Sequence, residues 1–323
     1  MDGLLRADSR LLQLARASGR RTPVPLVVVL AFACLFVSRW PIGVLSDSIP
    51  WLDDPTYGYP SGWTSAFHMT VYLLVRFAPL ALLVFAWIYA YEGRAPRTLG
   101  FERRRAGRRY ARGLLVGAAL FSLAAALIVA FSTVWQLPGD PARQGGAVIG
   151  PVLFVLLGWM AQGGAEEVLV RGWVLQAVGV RYGAWAAVLV SSAVFAGLHV
   201  LNAGFDWLPF LNLVLIGLFF ALFALWEGAL WGVCALHAGW NWAQGNLLGF
   251  SVSGAGVGAG GVVVHLGANG TPLVTGGPFG PEGGLMVTAV MCLAIVAIVV
   301  LQIVSRCRAR RASVSQRGGE AAS

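Results

Sequence analysis

Three short segments of the chain carry ionisable or amide side chains inside otherwise apolar stretches. An ionisable side chain at the centre of a bilayer costs roughly 2.5–3.5 kcal/mol on insertion scales, so such residues commonly have a partner or a function. The residues that stand out, together with a phenylalanine one helical turn before the first histidine, are Glu166, Glu167, Arg171, Phe195, His199, His237 and Asn241. We expect the chemistry of this protein to depend on this set.

Helical spacing divides these residues into reacting and supporting groups. Glu167 and Arg171 are four positions apart, so they share a helix face and can form a charge pair. Glu166 is rotated by about 100° from its neighbour, which leaves its carboxylate to point elsewhere. His237 and Asn241 are likewise one turn apart and project together.

The remaining polar groups suit the hydrolysis of an amide bond. A carboxylate beside an imidazole can hold a water molecule, take its proton and direct it at a carbonyl carbon. A second imidazole and an amide can donate hydrogen bonds to the oxyanion that then develops. The residues with these chemistries come from three different helices and are Glu166, His199, His237 and Asn241. If they converge on one polar cavity, the sequence predicts a hydrolase in or beside the membrane, with Phe195 orienting His199 by packing.

The three motifs resemble a known family of intramembrane proteases. In chain order they are Glu166-Glu167-x-x-x-Arg171, Phe195-x-x-x-His199 and His237-x-x-x-Asn241. This order and spacing are similar to the CAAX-protease and bacteriocin-processing (CPBP) family, of the type II CAAX prenyl endopeptidase class, over roughly residues 147–250. The resemblance implies that Glu166 and His199 activate water. It implies that His237 and Asn241 stabilise the oxyanion, and that Glu167 and Arg171 support them.

Zinc is a possible cofactor, although we favour a reaction without one. The CPBP family is commonly labelled a metalloprotease family, and two histidines with a glutamate are a possible ligand set, here Glu166, His199 and His237. The signature of soluble zinc proteases, with two histidines one turn apart around a glutamate, is absent. His237 instead shares its helix face with Asn241, and an amide is a poor zinc ligand.

Two other functions use the same residues. A transporter or channel could employ them as an ion relay, and a catalytically silent scaffold could hold them for structural reasons. For the protease we expect a membrane-associated peptide or protein as substrate and the lipid bilayer as surroundings. No nucleic acid is expected, because the arginines that give the net charge of +9 cluster beside apolar runs, at residues 6–21, 94–112 and 306–317.

Composition predicts an all-α, polytopic integral membrane protein with a polar intramembrane cavity. Hydrophobic residues make up 58% of the chain and charged residues 11%, whereas soluble domains are roughly a quarter charged. About eight apolar segments are long enough to span a bilayer, and they cover residues 24–45, 67–91, 113–135, 147–168, 184–204, 207–226, 229–249 and 285–305. Loop charges place both termini in the cytoplasm, and the arginine- and alanine-rich composition suggests a bacterial plasma membrane.

The chain divides into five parts. They are a cytoplasmic basic segment (1–23), N-terminal spans with a basic loop at 92–112 (24–146), the CPBP-like core (147–250), a glycine-rich outer loop with the last span (251–305) and a disordered basic tail (306–323). Residues 4–16 suit either an interfacial helix or a solvated tail, and 250–284 either an irregular loop or a re-entrant cap.

One difficulty concerns the depths of Glu166 and His199 in the membrane. With these span limits Glu166 lies at the inner end of the fourth helix, whereas His199 lies about 22 Å from the inner start of the fifth. The two residues meet only if the fourth helix is tilted or its limits are shifted.

Overall fold

The chain is almost entirely helical in this computed structural model, which describes residues 9–16, 20–52, 62–136, 145–256 and 261–320. The α-helices are α1 (Arg10–Arg16), α2 (Val24–Ser38), α3 (Trp40–Leu45), α4 (Gly62–Ala90), α5 (Ala106–Phe131), α6 (Ile149–Glu167), α7 (Leu175–Gly197), α8 (Trp207–Glu227), α9 (Trp231–Trp242), α10 (Pro272–Thr275) and α11 (Leu285–Glu320). The two strands are β1 (Thr133–Gln136) and β2 (Leu266–Asn269), which pair antiparallel. The all-α prediction is therefore confirmed.

Within the described residues, six helical stretches are long and apolar enough to cross a membrane. They are Val24–Leu45, Gly62–Ala90, Ala106–Phe131, Gly145–Gly197, Trp207–Glu227 and Leu285–Ser305. The expected number was about eight. The fourth and fifth expected spans form one stretch of 53 residues. The seventh corresponds to α9 and the π-helical segment Ala243–Leu247 that continues it, which together cover about 25 Å, less than the roughly 30 Å of a bilayer core.

The 53-residue helical stretch allows Glu166 and His199 to lie at similar depths in the membrane. Helix α6 does not end at residue 168 as predicted, but continues through the π-helical segment Val168–Val174 into α7. The backbone breaks at Gly183, whose φ of 87° is readily adopted only by glycine. Glu166 lies about 17 residues before this break and His199 about 16 after it, so both are roughly 25 Å from it at 1.5 Å per residue.

Helix α5 supports α9 through a close contact between glycines and backbone. A Cβ atom at Gly113 would lie 2.0 Å from the carbonyl oxygen of Gly232, and one at Gly117 equally close to that of Leu236. Small residues at helix interfaces let two backbones approach in this way. Helix α5, which precedes the CPBP-like core, therefore holds the helix that carries His237.

The described part of the N-terminal segment is a packed helix. Leu11, Leu12 and Ala15 of α1 are buried, and the side chains of Leu11 and Leu12 lie beside Gly100 and Gly179. Of the two predictions for residues 4–16, the solvated tail is wrong for Arg10–Arg16, because one face of this helix is apolar and is covered by the protein. Residues 4–8 lie outside the described part.

The C-terminal region differs from the expected organisation in two ways. The described part of segment 250–284 folds back onto the helices, since β2 pairs with β1 and the Asn212 amide donates to the carbonyl oxygens of Glu282 and Gly284. It is therefore closer to the cap than to the irregular loop. Helix α11 also continues through residues 306–320, which were predicted to be a disordered tail. Arginine, alanine and glutamine favour helix, and extending a helix avoids the cost of nucleation.

Candidate active site

The structure brings the four candidate reacting groups to one cavity of about 300 Å³. Glu166 lies near the end of α6, His199 directly after α7, and His237 with Asn241 on α9. All four side chains are buried. His199 was predicted to lie within a span that ends at residue 204, but α7 ends at Gly197 and His199 sits in the following turn.

Glu167 and Arg171 form the charge pair that their spacing predicted. The distance from Arg171 Nη1 to Glu167 Oε1 is 2.8 Å, and both side chains are completely buried. Arg171 also donates from Nη2 to the carbonyl oxygen of Gly217, and its guanidinium lies over the rings of Phe195 and Phe220 at 4.6 and 5.3 Å. Glu167 directly precedes the π-helical segment Val168–Val174 and Arg171 lies within it, a type of irregularity that is frequent at functional sites.

Glu167 has a second partner, which the sequence analysis did not predict. The Nδ1 atom of His237 lies 3.0 Å from Glu167 Oε1, and its Nε2 atom lies 3.8 Å from Glu166 Oε2. Because a carboxylate only accepts hydrogen bonds, Nδ1 carries the proton in this contact. Glu167 thus orients the His237 ring so that its other nitrogen faces Glu166.

Gln162 was missed by the sequence analysis and connects two of the candidate groups. Its Nε2 atom donates to Glu166 Oε1 at 2.9 Å, and its Oε1 atom accepts from Asn241 Nδ2 at the same distance. Its position in the sequence could have indicated this contact. Gln162 lies in an apolar run one helical turn before Glu166, so the two side chains share a helix face. The contact leaves Glu166 Oε2 buried without a hydrogen-bond partner among the described residues.

His199 is oriented by the turn that precedes it. Its Nδ1 atom lies 2.8 Å from the carbonyl oxygen of Phe195, so this nitrogen is the donor and Nε2 can accept a proton. The Phe195 ring lies 4.9 Å from the His199 ring and 5.8 Å from the His237 ring, measured between centroids. Phe195 therefore contacts both imidazoles, whereas its spacing predicted a contact with His199 alone.

Comparison with known proteins assigns this part of the chain to a family. The family described as type II CAAX prenyl endopeptidase Rce1-like matches residues 148–243, which include Glu166, His199, His237 and Asn241. Residues 148–243 form an Rce1-like domain. Such a domain is that of a CAAX protease, which is a peptidase, and here it lies within a polytopic membrane protein. No curated protein and no solved structure matches the chain.

A carboxylate outside the Rce1-like domain closes one end of the cavity. Glu282 is buried, and it accepts hydrogen bonds from Trp240 Nε1 at 3.0 Å and from the backbone nitrogen of Ser253 at 2.8 Å. Asn202 in turn donates to the Ser253 carbonyl oxygen. Glu282 is the only charged residue in the sequence of segment 250–284, and this isolation could have indicated that it has a specific role. These contacts fasten the cap segment to the turn that carries His199.

The described residues do not form a three-ligand zinc site. No three histidine, cysteine, aspartate or glutamate side chains among them are grouped closely enough to hold a metal ion. The Nδ1 atoms of His199 and His237 contact the Phe195 carbonyl and Glu167, which leaves the Nε2 atom of each histidine as the nitrogen that could ligate. Zinc sites need at least three convergent ligands, so no step is assigned to a metal.

Proposed function

We propose that the protein is an intramembrane endopeptidase that hydrolyses a peptide bond of a membrane-associated peptide or protein, near the membrane face. The observation that carries this proposal is the burial and the hydrogen bonding of the Glu166 carboxylate. Its Oε2 atom is buried in the cavity, has no hydrogen-bond partner among the described residues, and lies 3.8 Å from His237 Nε2. A buried carboxylate oxygen of this kind can accept a hydrogen bond from a water molecule.

In this mechanism Glu166 and His199 activate the water. Glu166 Oε2 and the lone pair of His199 Nε2 accept its two protons as hydrogen bonds, and one proton moves to Glu166 as the water oxygen attacks the carbonyl carbon. The bond from carbon to nitrogen then breaks, and the same proton passes to the departing amine. The products are a carboxylic acid and an amine, which balances the addition of one water.

His237 and Asn241 stabilise the oxyanion in the same mechanism. As an imidazolium, His237 donates from Nδ1 to Glu167 and from Nε2 to the developing negative charge. The Asn241 amide has two N–H groups, of which one donates to Gln162 and the other is assigned to the oxyanion. Glu167 and Gln162 act here as positioning residues, because each holds one of these donors in place before substrate arrives.

The proposal is tested with purified protein in vesicles and two synthetic peptides. One ends in an S-farnesylated Cys-aliphatic-aliphatic-X sequence, and the other has the same sequence without the prenyl group. We expect Glu166→Gln to lower kcat about 10²- to 10⁴-fold, because the amide cannot accept the proton. Glu102→Gln is the matched control, since Glu102 pairs with Arg10 away from the cavity. Comparative membrane peptidomics of the wild type and Glu166→Gln identifies the natural substrate.

Three results would contradict this mechanism. Full activity in Glu166→Gln would remove that residue from the reaction. Activity that disappears after exhaustive chelation and returns with zinc would show that a metal takes part. Vesicles that show ion or solute flux but no peptide cleavage would indicate a transporter.

A further inference from the structure

Two arginines from outside the Rce1-like domain line the same cavity as Glu166. Arg39 lies between α2 and α3, and Arg76 lies on α4, in the part of the chain that precedes the matched residues 148–243. Both side chains are half-buried. The proposed catalytic mechanism assigns neither of them a role.

Neither arginine forms an ion pair with a described carboxylate, although Arg39 lies within electrostatic range of both Arg76 and Glu166. Arg39 Nε is buried without a hydrogen-bond partner among the described residues. Arg76 lies over the rings of Tyr72 and Phe77, at 5.8 and 5.5 Å, which are uncharged contacts. Because an unpaired charge within a membrane is costly, the two guanidinium groups together favour binding of an anion.

The two buried arginines among the described residues are paired, whereas the half-buried Arg109 has, like Arg39, a buried nitrogen without a hydrogen-bond partner. Arg171 has Glu167 at 2.8 Å, and Arg94 has Glu92 at the same distance.

The register of the helices places Arg76 close to the reacting groups. Along α6, Gly150 lies against Trp63 of α4, and Gly158 lies against Thr70 and Leu73, so the two helices run side by side in the same direction. Continuing this register, Arg76 is level with residue 162, about one helical turn or roughly 6 Å from the level of Glu166. An anion held there lies within a few residues of the scissile bond.

We propose that Arg39 and Arg76 bind a carboxylate of the peptide substrate and thereby select substrates that carry one near the cleavage site. This inference rests on the proposed protease function. The planar guanidinium matches a carboxylate with two parallel hydrogen bonds, which gives orientation as well as charge. The carboxylate belongs either to the C-terminus of the peptide or to an acidic side chain. A substrate group is favoured over a lipid headgroup because these arginines share a cavity of about 300 Å³ with Glu166.

The test compares three farnesylated peptides that differ only in their negative charge. One has a free C-terminal carboxylate, one a C-terminal amide, and one an amide with a glutamate next to the terminus. We expect wild-type kcat/KM to be about tenfold or more higher for the charged peptides than for the amide, mainly through KM. In Arg39→Gln and Arg76→Gln this ratio falls towards one. Arg181→Gln, at an exposed position outside the cavity, keeps the wild-type ratio. Which charged peptide shows the preference identifies the source of the carboxylate.

Equal cleavage of charged and uncharged peptides by the wild type would overturn the proposal, as would a ratio that stays unchanged in both arginine variants. A ratio of one together with a new dependence on anionic lipid, measured in phosphatidylglycerol against phosphatidylcholine vesicles, would assign the arginines to lipid instead. Binding of the same fluorescently labelled peptides to Glu166→Gln reads the preference without cleavage. The carboxylate site is thereby tested even if the protein proves not to be a protease.

Discussion

The charged side chains at the candidate site fall into two groups: a first end, consisting of Glu166, Glu167, Arg171 and His237, in which the side chains contact one another, and a second end, consisting of Arg39 and Arg76, which form no ion pair with a described carboxylate. Glu167 contacts both Arg171 and His237, and Glu166 lies beside His237. Contacts within the protein hold the first end in one geometry before any ligand binds. The second end gains a partner of opposite charge only when an anion binds.

The two ends differ in what each arrangement can do. A preorganised set of donors and acceptors stabilises charge as it develops, without rearranging at that moment. An unpaired positive charge instead lowers the stability of the empty protein and is compensated when an anion arrives. In the proposed mechanism the Rce1-like domain therefore supplies the reacting groups, and the proposed role of the preceding helices is to select the substrate.

The largest effect should follow when the paired end is broken. We expect Arg171→Met to lower the free energy of unfolding by about 3–5 kcal/mol, because the buried Glu167 loses its guanidinium partner and keeps only His237. Unfolding of the purified protein in detergent, followed by denaturant titration, measures this. The double variant Glu167→Gln/Arg171→Met should recover most of the stability, since it removes both charges. It should remain inactive, because His237 loses the carboxylate that orients it.

The control for this prediction is Arg181→Met, which makes the same substitution at an exposed position. An Arg171→Met protein as stable as this control would mean that the buried pair is not needed to hold the first end. The comparison between the two ends would then lose its physical basis.

Local spacing was enough to predict the pair within one helix. Glu167 with Arg171 follows from four-residue spacing alone, and the structure contains it. The contacts from His237 to Glu167 and from Asn241 to Gln162 join helices that are about 70 to 80 residues apart in the chain. No periodicity reports which neighbouring helix a side chain faces, so these contacts required the tertiary structure.

The ends of the membrane-spanning helices and the folding of segment 250–284 were the parts of the fold that the sequence predicted least well. The apolar run around residue 168 continues as a π-helical segment without a break, and the true break at Gly183 depends on a backbone angle. Gly163 and Gly164 lie inside α6, and Gly163 packs closely against the backbone of Ala238. Glu282 meets the cavity only because segment 250–284 folds back, which again is a long-range event.

An intermediate effect should follow when the link within the first end is removed. We expect Gln162→Leu to lower kcat about tenfold, since Glu166 and Asn241 each lose one hydrogen bond that positions them. KM should change little, because Gln162 orients reacting groups rather than holding the peptide. Steady-state kinetics on the farnesylated peptide separate the two constants.

Gln302→Leu provides the matched control for this substitution. Gln302 is also buried, but it donates to the carbonyl oxygen of Leu222 and does not line the cavity. If both variants lower kcat equally, the effect of Gln162→Leu reflects general packing and the connection between Glu166 and Asn241 is not functional.

The smallest change in the free energy of unfolding, and one of opposite sign to that of Arg171→Met, should follow from substitutions at the second end. We expect Arg39→Gln and Arg76→Gln to leave the free energy of unfolding unchanged or to raise it by up to about 1 kcal/mol, because each removes a charge that has no described partner. The same denaturant titration measures this in the absence of peptide. A loss comparable to that of Arg171→Met would mean that these arginines are paired within the protein. Removing a charge should therefore lower stability at the first end and substrate preference at the second, since the buried pair of Glu167 and Arg171 forms without a ligand.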